Sequence, residues 1–428
     1  MLGTALLMLI VLLAISVPIA AAMGVLGLAL NQFYSSAPLY LAMGEILWNS
    51  SSEYILIAIP LFVMLGEILL RSGIAERVYA AIAQWLSWLP GGLMHANVGT
   101  CAMFAATSGS SVATAATVGV VALPQIKRRK YDERLFLGTL AAGGTLGILI
   151  PPSINFILYG LLTNSSVPRL YLAGMLPGIL LAALFMVYVL LACLVRPSKG
   201  GERIETSWRQ RFYSLKDLIA PLFIFLVVVG SIYAGWATPT EAASLGVLAA
   251  LLLAAVERTL SLAMMRAVLE GTMRTTAMIM LIIMAAQFLN FVLASIGFTD
   301  GMGKLIEGLG LGMYGTLLLV IVFYLILGCF METISMMILT TPFIYPIVIN
   351  IGWDPIWWGV VLTVLIEAAL ITPPVGLNLY VVQGMRERGP IADVIWGALP
   401  FVGAMMLLIA LLMVYPDLAL GLPKLVMG

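Results

Sequence analysis

Charged residues are scarce in this sequence of 428 residues. Asp, Glu, Lys and Arg make up 10% of it, whereas an average soluble domain contains about 25%. Hydrophobic residues account for 62%, and the formal net charge is +1. A nearly neutral chain lacks the basic surface of a nucleic-acid-binding protein, so we expect no such partner. The composition is typical of a protein that resides in a lipid bilayer.

Histidine and cysteine are also rare, with one and three residues respectively. Cys101, Cys193 and Cys329 are far apart in apolar runs, so they have neither the spacing of metal ligands nor that of a disulfide framework. An intramembrane enzyme would need an acid pair, a Ser–Lys pair or a metal-ligand cluster at mid-depth. The lysines avoid the apolar runs, and the chain has one histidine. The phosphate-binding motif GxxxxGK[ST] is absent, so ATP hydrolysis is not expected in this chain. We therefore predict neither an enzyme nor an organic cofactor.

Apolar runs long enough to cross a bilayer are abundant, as in residues 2–30 and 171–195. A membrane-spanning helix needs about 20 such residues, so the sequence predicts an all-α polytopic membrane protein. Eleven of the 21 Lys and Arg residues lie in two short loops, Lys127–Arg134 and Arg196–Lys216. Because basic loops face the cytoplasm, both loops are predicted on the cytoplasmic side of a bacterial inner membrane.

Prolines recur at one spacing in the two halves of the chain. The pairs Pro151-Pro152 and Pro373-Pro374 are 222 residues apart, as are Pro124 and Pro346. Five predicted crossings lie between the copies, at 135–163, 171–195, 218–235, 241–256 and 276–298. An odd number of crossings inverts the second copy, which is the inverted-topology repeat of secondary transporters. The alternative is that the double prolines only kink two helices that pack for stability.

Each copy also contains a polar hinge between two short apolar arms. The predicted re-entrant hairpins are 93–126, with its hinge at 107–111, and 315–349, with its hinge at 331–335. Such a hairpin is tolerated in a membrane where it is buried or lines a cavity. The helix after each hinge directs free N–H groups toward mid-membrane, which favours an anion. The double prolines interrupt the spans 135–163 and 356–384 and free carbonyl groups that suit a hard cation such as Na⁺.

Polar side chains near these hinges and breaks are candidate ligands. The predicted substrate-binding residues are Ser110, Ser111, Thr114, Thr145, Asn155, Thr333, Ser335 and Asn378. Glu332 is a candidate coupling acid because a charged side chain at mid-membrane is costly, or it only holds the hinge shut. Glu367 is a second candidate, or it only caps or hydrogen-bonds a neighbouring helix. Glu67 and Arg71 are interpreted as an i,i+4 ion pair at the membrane boundary, and Glu241 as part of a capping box with Thr238.

Four motifs together resemble the large membrane subunit of tripartite ATP-independent periplasmic (TRAP) transporters, the DctM-like family. They are TSGSSVATAATVG at 107–119, GGTLGILIPPS at 143–153, ATPTEAA at 237–243 and ITPPVGLNLYV at 371–381. The resemblance covers essentially the whole chain. It implies an elevator-type symporter, like the ion transporter superfamily, that couples Na⁺ to the import of an organic acid. The open alternative is a stand-alone ion-coupled dicarboxylate or citrate symporter of related architecture.

The resemblance also implies ligands and partners. The positions that match the first Na⁺ site are Ser108, Gly109, Gly147, Ile150 and Pro152. Those that match the second are Gly328, Ala369, Thr372 and Val375, with alanine at 369 where glycine is expected. A small four-helix membrane subunit (DctQ-like) and a periplasmic substrate-binding protein (DctP-like) are the implied partners.

The expected organisation follows from these assignments. Residues 1–92 form scaffold helices and a first arm, and 93–165 the first transport module. Residues 166–275 form connecting scaffold helices and a second arm at 257–274, 276–391 the second transport half, and 392–428 a C-terminal helix. Five tryptophans are predicted to anchor the membrane interface, at 85, 88, 353, 357 and 358. His95 is predicted to be an interfacial side chain.

Overall fold

The computed structural model describes residues 2–202, 206–298, 301, 308, 310–328, 331–374, 376–386 and 388–427. Regular structure in this part of the chain is helical. The α-helices, in chain order, are α1 (Leu2–Ala14), α2 (Ile19–Tyr34), α3 (Met43–Ser51), α4 (Ala58–Arg71), α5 (Ile74–Leu86), α6 (Leu93–Ser108), α7 (Ser111–Arg129), α8 (Glu133–Leu149), α9 (Ile154–Thr163), α10 (Val167–Val195), α11 (Trp208–Ser214), α12 (Lys216–Phe225), α13 (Ser231–Tyr233), α14 (Pro239–Val256), α15 (Leu262–Ser295), α16 (Gly312–Leu327), α17 (Thr333–Asn350), α18 (Pro355–Leu370), α19 (Leu377–Met385), α20 (Ile391–Val414) and α21 (Asp417–Met427).

Many of these helices can cross a membrane. Among the described residues, seven spans are long and apolar enough, and the bent pair α8–α9 makes an eighth. The prediction of an all-α polytopic membrane protein is therefore confirmed. The predicted capping box is also present at the start of α14, where Thr238 and Glu241 bond each other's backbone N–H groups.

The two predicted hairpins are present with shifted hinges. In the first hairpin, α6 and α7, the hinge shrinks to Gly109 and Ser110 because glycine at φ +58° ends α6 and Ser110 caps α7. In the second hairpin, α16 ends at Leu327 and α17 begins at Thr333 with Glu332 as its cap, so the hinge begins before the expected range 331–335. Residues 329 and 330, including Cys329, lie outside the described residues.

Both double prolines interrupt a helix. The first broken helix, α8 and α9, bends by 46°, and Ser153 caps its second part. The second broken helix, α18 and α19, is interrupted at 371–376. Since proline has no N–H group, the helical bonds that residues 151 and 152 would donate to Gly147 and Ile148 are missing.

Several expectations were wrong about position. The stretch 257–274 is not a separate arm, because α15 is one helix of 34 residues across the expected boundary at 275. The C-terminal region holds two helices, α20 and α21. Trp353, Trp357 and Trp358 are buried rather than interfacial, and so is His95, whose Nε2 lies 2.9 Å from the Pro90 carbonyl oxygen. Aromatic residues pack into the core where the helices converge on them, and sequence does not show that convergence.

The helices pack in two groups. The hairpins and broken helices pack on one another and on α10, α20 and α21, while α2, α4, α14 and α15 pack together as a second group. Helix α10, expected in the connecting scaffold, therefore belongs with the broken helices. Contacts between the groups run mainly through α4 against α6 and α15 against α17, so the hairpins lie at the boundary.

The two basic loops meet at one end of the molecule. The N–H of Asp132 donates to the Lys199 carbonyl, the N–H of Glu202 donates to the Arg129 carbonyl, and Lys130 forms an ion pair with Glu202. This shared end agrees with the expectation that both loops lie on the same side of the membrane.

Candidate functional site

The first hairpin folds back on itself beside α8. Asn97 on α6 donates to Thr139, and Cys101 lies against Gly143, so α6 runs parallel to α8. On α7 the order is reversed, since Ala115 lies against Gly144 and the earlier residue Thr114 against Gly147. The chain therefore enters and leaves the hairpin at the same end, with its tip at Gly109 and Ser110.

Glycines let α8 approach this hairpin closely. A Cβ atom on Gly144 would lie 2.7 Å from the Cβ of Ala115, and one on Gly147 would lie 2.9 Å from the Ser110 carbonyl oxygen. Real Cβ contacts are longer than this, so a side chain at either position would push the hairpin away. The hairpin tip is thus held against the first break, where a Cβ on Gly109 would lie 3.3 Å from Ile154.

The second hairpin has the same form. The hydroxyl groups of Tyr324 on α16 and Thr340 on α17 are 2.5 Å apart. At the open end of the hairpin, where α16 begins and α17 ends, the rings of Tyr314 and Trp353 meet with centroids 6.0 Å apart. The tip lies against the second broken helix, because a Cβ on Gly328 would lie 2.0 Å from the Cβ of Ala369.

The two broken helices run in opposite directions. Tyr159, near the end of α9, donates to the carbonyl of Pro355 at the start of α18 over 2.6 Å. At the other end, Arg386, just after α19, pairs with Glu133 at the start of α8 over 2.9 Å. The open end of the first hairpin is on the Glu133 side, and that of the second is on the Pro355 side. The hairpin tips therefore approach each other from opposite ends of the molecule.

A cavity of about 160 Å³ lies between the two tips and the second group of helices. The first hairpin contributes Gly109 to Ala113, and the second contributes Glu332 to Ile334. The facing wall comes from α4 and α15. The described residues that line the whole cavity are Val63, Gly66, Glu67, Leu70, Phe104, Gly109, Ser110, Ser111, Val112, Ala113, Thr117, Ile148, Ile154, Thr275, Ile279, Glu332, Thr333 and Ile334.

The charges of this cavity come from two carboxylates and two helix N-termini. Glu67 is paired with Arg71 over 3.0 Å. One oxygen of Glu332 accepts hydrogen bonds of 2.8 Å from both the N–H and the hydroxyl of Ser335. No lysine, arginine or histidine is among the described residues that line the cavity. The first turns of α7 and α17 face it, and their leading N–H groups have no intrahelical acceptor.

The predicted substrate-binding residues divide into two sets. Ser110, Ser111 and Thr333 line the cavity, as does the candidate coupling acid Glu332. Behind this surface are the five residues that do not line it: Thr114, Thr145, Ser335, Asn155 and Asn378.

The buried set differs in its hydrogen bonding. Thr114 and Thr145 donate to carbonyl groups of their own helices, over 2.8 and 2.6 Å. The amide nitrogen of Asn378 donates to the Ala141 carbonyl over 3.4 Å, which ties α19 to α8. Asn155 is fully buried, and neither side-chain atom has a hydrogen-bond partner among the described residues.

The residues expected at the first Na⁺ site converge where the first tip meets the first break. Gly147 lies against Ser110, and Gly109 against Ile154. Ile150 ends α8 in an extended conformation, and Pro152 follows it. The side chain of Ser108 lies outside what the structure describes.

At the second expected site, Gly328 contacts Ala369, and the Thr372 hydroxyl donates to the Ala368 carbonyl over 2.7 Å. Val375 lies outside the described residues. Both tips therefore lie against a proline break.

Sequence reasoning missed the role of α4 and α15 as a wall of the cavity. The sequence predicts an ion pair between Glu67 and Arg71, and the pair is present, but the Glu67 carboxylate also faces the cavity. A charged residue in the apolar run 58–70 was the available signal. Thr117 and Thr275 gave no signal, because a hydroxyl group on an apolar helix is common.

Glu367 is the most enclosed acid of the site. It is 1% exposed, and neither carboxylate oxygen has a hydrogen-bond partner among the described residues. Ser111 of the first hairpin is close to the carboxyl group, and Glu332 is within electrostatic range. The Ser111 contact does not have the geometry of a hydrogen bond, so the carboxyl group is packed against the hairpin without being satisfied by it.

Comparisons with known proteins agree over nearly the whole chain. The family described as the DctM component of tripartite ATP-independent periplasmic transporters matches residues 6–418. The C4-dicarboxylate TRAP transporter large permease of Pseudomonas aeruginosa is 35% identical over 379 residues, which is 88% of each chain. The sialic acid TRAP transporter large permease of Vibrio cholerae is 31% identical over 378 residues, again 88% of each.

A solved structure of low sequence identity has the same general fold. The Alcanivorax borkumensis YdaH transporter superposes with a TM-score of 0.57 at 16% identity, covering 90% of this chain and 89% of that one. At 16% identity the match shows similarity of fold alone.

Proposed function

Since the chain belongs to the DctM component family of tripartite ATP-independent periplasmic transporters, we propose that it is the large membrane subunit of a Na⁺-coupled importer of an organic acid. The observation that carries the proposal is the cavity between the two hairpin tips, which the first turns of α7 and α17 face. A helix N-terminus carries about +0.5 of an elementary charge. A carboxylate can therefore bind beside α7 without any basic side chain.

The N-termini of α7 and α17 differ in how strongly they attract an anion. Ser110 caps α7 with a neutral hydroxyl group, whereas Glu332 caps α17 with a carboxylate. A carboxylate cap already offsets the positive end of α17. The acid group of the substrate is accordingly assigned to the α7 tip, near Ser110 and Ser111.

Inverted repeats are part of the proposal, and helix caps support them. Ser110 and Glu332 cap the helix after each hinge, and Asp132 and Asp354 cap the first part of each broken helix. Both pairs are 222 residues apart, the spacing of the prolines. The antiparallel course of the broken helices adds support of a different kind, because it does not depend on side-chain identity.

An elevator mechanism is part of the proposal, and the packing of the helices supports it. The hairpins and broken helices form one group, and α2, α4, α14 and α15 form the other, with the cavity at their boundary. We assign the first group to a moving domain and the second to a scaffold. Sliding of one group past the other then carries the cavity from one side of the membrane to the other.

Na⁺ is assigned to the two places where a hairpin tip meets a proline break. Carbonyl and hydroxyl oxygens suit this hard cation, and the carbonyls of Gly147 and Ile148 lack their usual helical donors. Because each site joins a hairpin to a broken helix, bound Na⁺ holds the tip that receives the substrate. This arrangement links cation binding to anion binding.

The proposal includes the two partners of a tripartite system. A small membrane subunit braces the scaffold, and a periplasmic binding protein delivers the substrate, with the basic loops on the cytoplasmic side. The test is uptake of labelled organic acids into proteoliposomes that hold this chain alone or with both partners. Uptake that requires both partners supports the proposal. Full Na⁺-driven uptake by the chain alone would refute the tripartite proposal and favour a stand-alone symporter.

A further inference from the structure

Glu367 is a buried acid that the two expected Na⁺ sites do not explain. The side chain is 1% exposed and has no hydrogen-bond partner on either oxygen among the described residues. An ionised carboxylate in such surroundings is strongly disfavoured unless a counter-charge accompanies it. The charged side chain within its range is Glu332, another acid, so the protein itself adds to the negative charge there.

The net charge of the two carboxylates, Glu367 and Glu332, and of the N-termini of α7 and α17 can be counted. The two carboxylates together contribute −2 when ionised. Helix α7 begins at Ser111, and α17 begins just after its cap Glu332; each helix N-terminus contributes about +0.5. Without bound substrate, about one negative charge therefore remains, which a single monovalent cation would neutralise.

Oxygen atoms from three helical elements are available around the Glu367 carboxyl group. Glu367 belongs to α18, Ser111 starts α7, and Glu332 uses only one of its two oxygens in capping α17. Hard cations bind carboxylate and hydroxyl oxygens of this kind. The set differs from that of the second expected Na⁺ site, because Ser111 is part of the first hairpin.

We propose that Glu367, Ser111 and the second oxygen of Glu332 form a third site for Na⁺, which joins the two hairpin tips through α18. The inference rests on the proposed Na⁺-coupled function and adds one cation to it. The site lies beside the α7 tip that receives the substrate's acid group. A cation there is adjacent to the substrate and ties both hairpins to it.

The test is the number of Na⁺ ions carried per substrate, measured from reversal potentials in proteoliposomes that hold the complete transporter. Glu367→Gln should lower this number by one. It should also raise the Na⁺ concentration for half-maximal thermal stabilisation of the purified complex by about tenfold or more. In the absence of Na⁺ the variant should be at least as stable as the wild type, because a buried amide needs no counter-ion. Glu270→Gln, an exposed acid paired with Arg266, is the matched control and should change neither quantity.

Each contrary outcome has a distinct meaning. An unchanged ion count with weaker Na⁺ affinity would assign Glu367 to the second expected site and overturn a third one. An unchanged Na⁺ response with a lost pH dependence would mean that Glu367 carries a proton instead. A wild type without any Na⁺ dependence would remove the proposed function itself, whatever the variant does.

A second variant covers the case in which Glu367→Gln does not fold. Ser111→Ala removes a proposed ligand without changing charge. It should raise the half-maximal Na⁺ concentration severalfold while leaving the stability without Na⁺ unchanged. A Na⁺ response identical to that of the wild type would overturn the site.

Discussion

The contact between Gly328 and Ala369 gives the sharpest prediction about how the second hairpin is held. Gly328 has φ −69°, which any residue can adopt, so glycine is needed there for space and not for conformation. A Cβ at this position would lie 2.0 Å from the Cβ of Ala369, whereas carbon atoms pack at about 3.5–4.0 Å. Gly328→Ala therefore has to move the tip by about 1.5–2 Å from α18.

The expected cost of that movement is about 1–3 kcal/mol, together with loss of Na⁺-driven uptake. Ala369→Gly alone should cost about 0.5–1 kcal/mol, as glycine does inside a helix. Combined, the two changes exchange the methyl group between the partners. The double variant should therefore be more stable than Gly328→Ala and regain uptake. The remaining close atoms, the Tyr324 carbonyl oxygen and Met336 Cε, are at 3.1 and 3.2 Å and can adjust by small shifts.

The measurements are thermal unfolding of the purified complex and Na⁺-driven uptake. Gly403→Ala is the control, because it lies inside α20 with nothing within 4 Å of an added Cβ. It should leave uptake unchanged and gain about 0.5–1 kcal/mol. Wild-type uptake by Gly328→Ala would refute the close contact. A double variant no better than that single variant would show that the two residues do not interact.

Three further predictions concern other contacts. Arg386→Ala removes a side chain that is 8% exposed and bonded to Glu133 and Asp393. Because this leaves Glu133 without that partner and Asp393 paired with Arg134 alone, unfolding should be easier by about 1–3 kcal/mol, whereas a mutation in an exposed ion pair should cost under about 1 kcal/mol. Thr238→Ala removes a helix cap and should lower stability by about 1 kcal/mol without altering Na⁺ dependence, and an altered dependence would contradict a purely structural cap. Thr372→Val should raise the Na⁺ concentration required for uptake, whereas Thr363→Val, inside the preceding helix α18, should not; equal effects would count against a ligand at Thr372.

Much of the architecture could be predicted because it depends on proline and on hydropathy. The double prolines interrupt the spans where expected, since proline cannot donate a helical hydrogen bond whatever surrounds it. The capping box at Thr238 was equally local. Hinge boundaries were less accurate. Ser110 and Glu332 are caps rather than mid-hinge residues, and the choice of cap depends on which N–H groups the fold exposes.

The candidate site was predictable only in part. The tip residues Ser110, Ser111, Thr333 and Glu332 come from contiguous motifs, and they do line the cavity. Thr145 and Asn378 stand in equally polar motifs, but they point between packed helices. The wall formed by α4 and α15 arises from contacts between distant parts of the chain, which one sequence does not encode in any local pattern. Burial of Trp357 and Trp358 has the same origin.

The most direct test of the account is uptake of a labelled organic acid by the complete transporter under an imposed Na⁺ gradient without ATP. The comparison is between the wild type and Ser110→Trp, which fills the cavity at the first tip. The account predicts that the wild type accumulates substrate, that accumulation ends when the gradient is dissipated, and that Ser110→Trp is inactive although it is expressed and folded. Accumulation without a Na⁺ gradient, or wild-type uptake by Ser110→Trp, would contradict it.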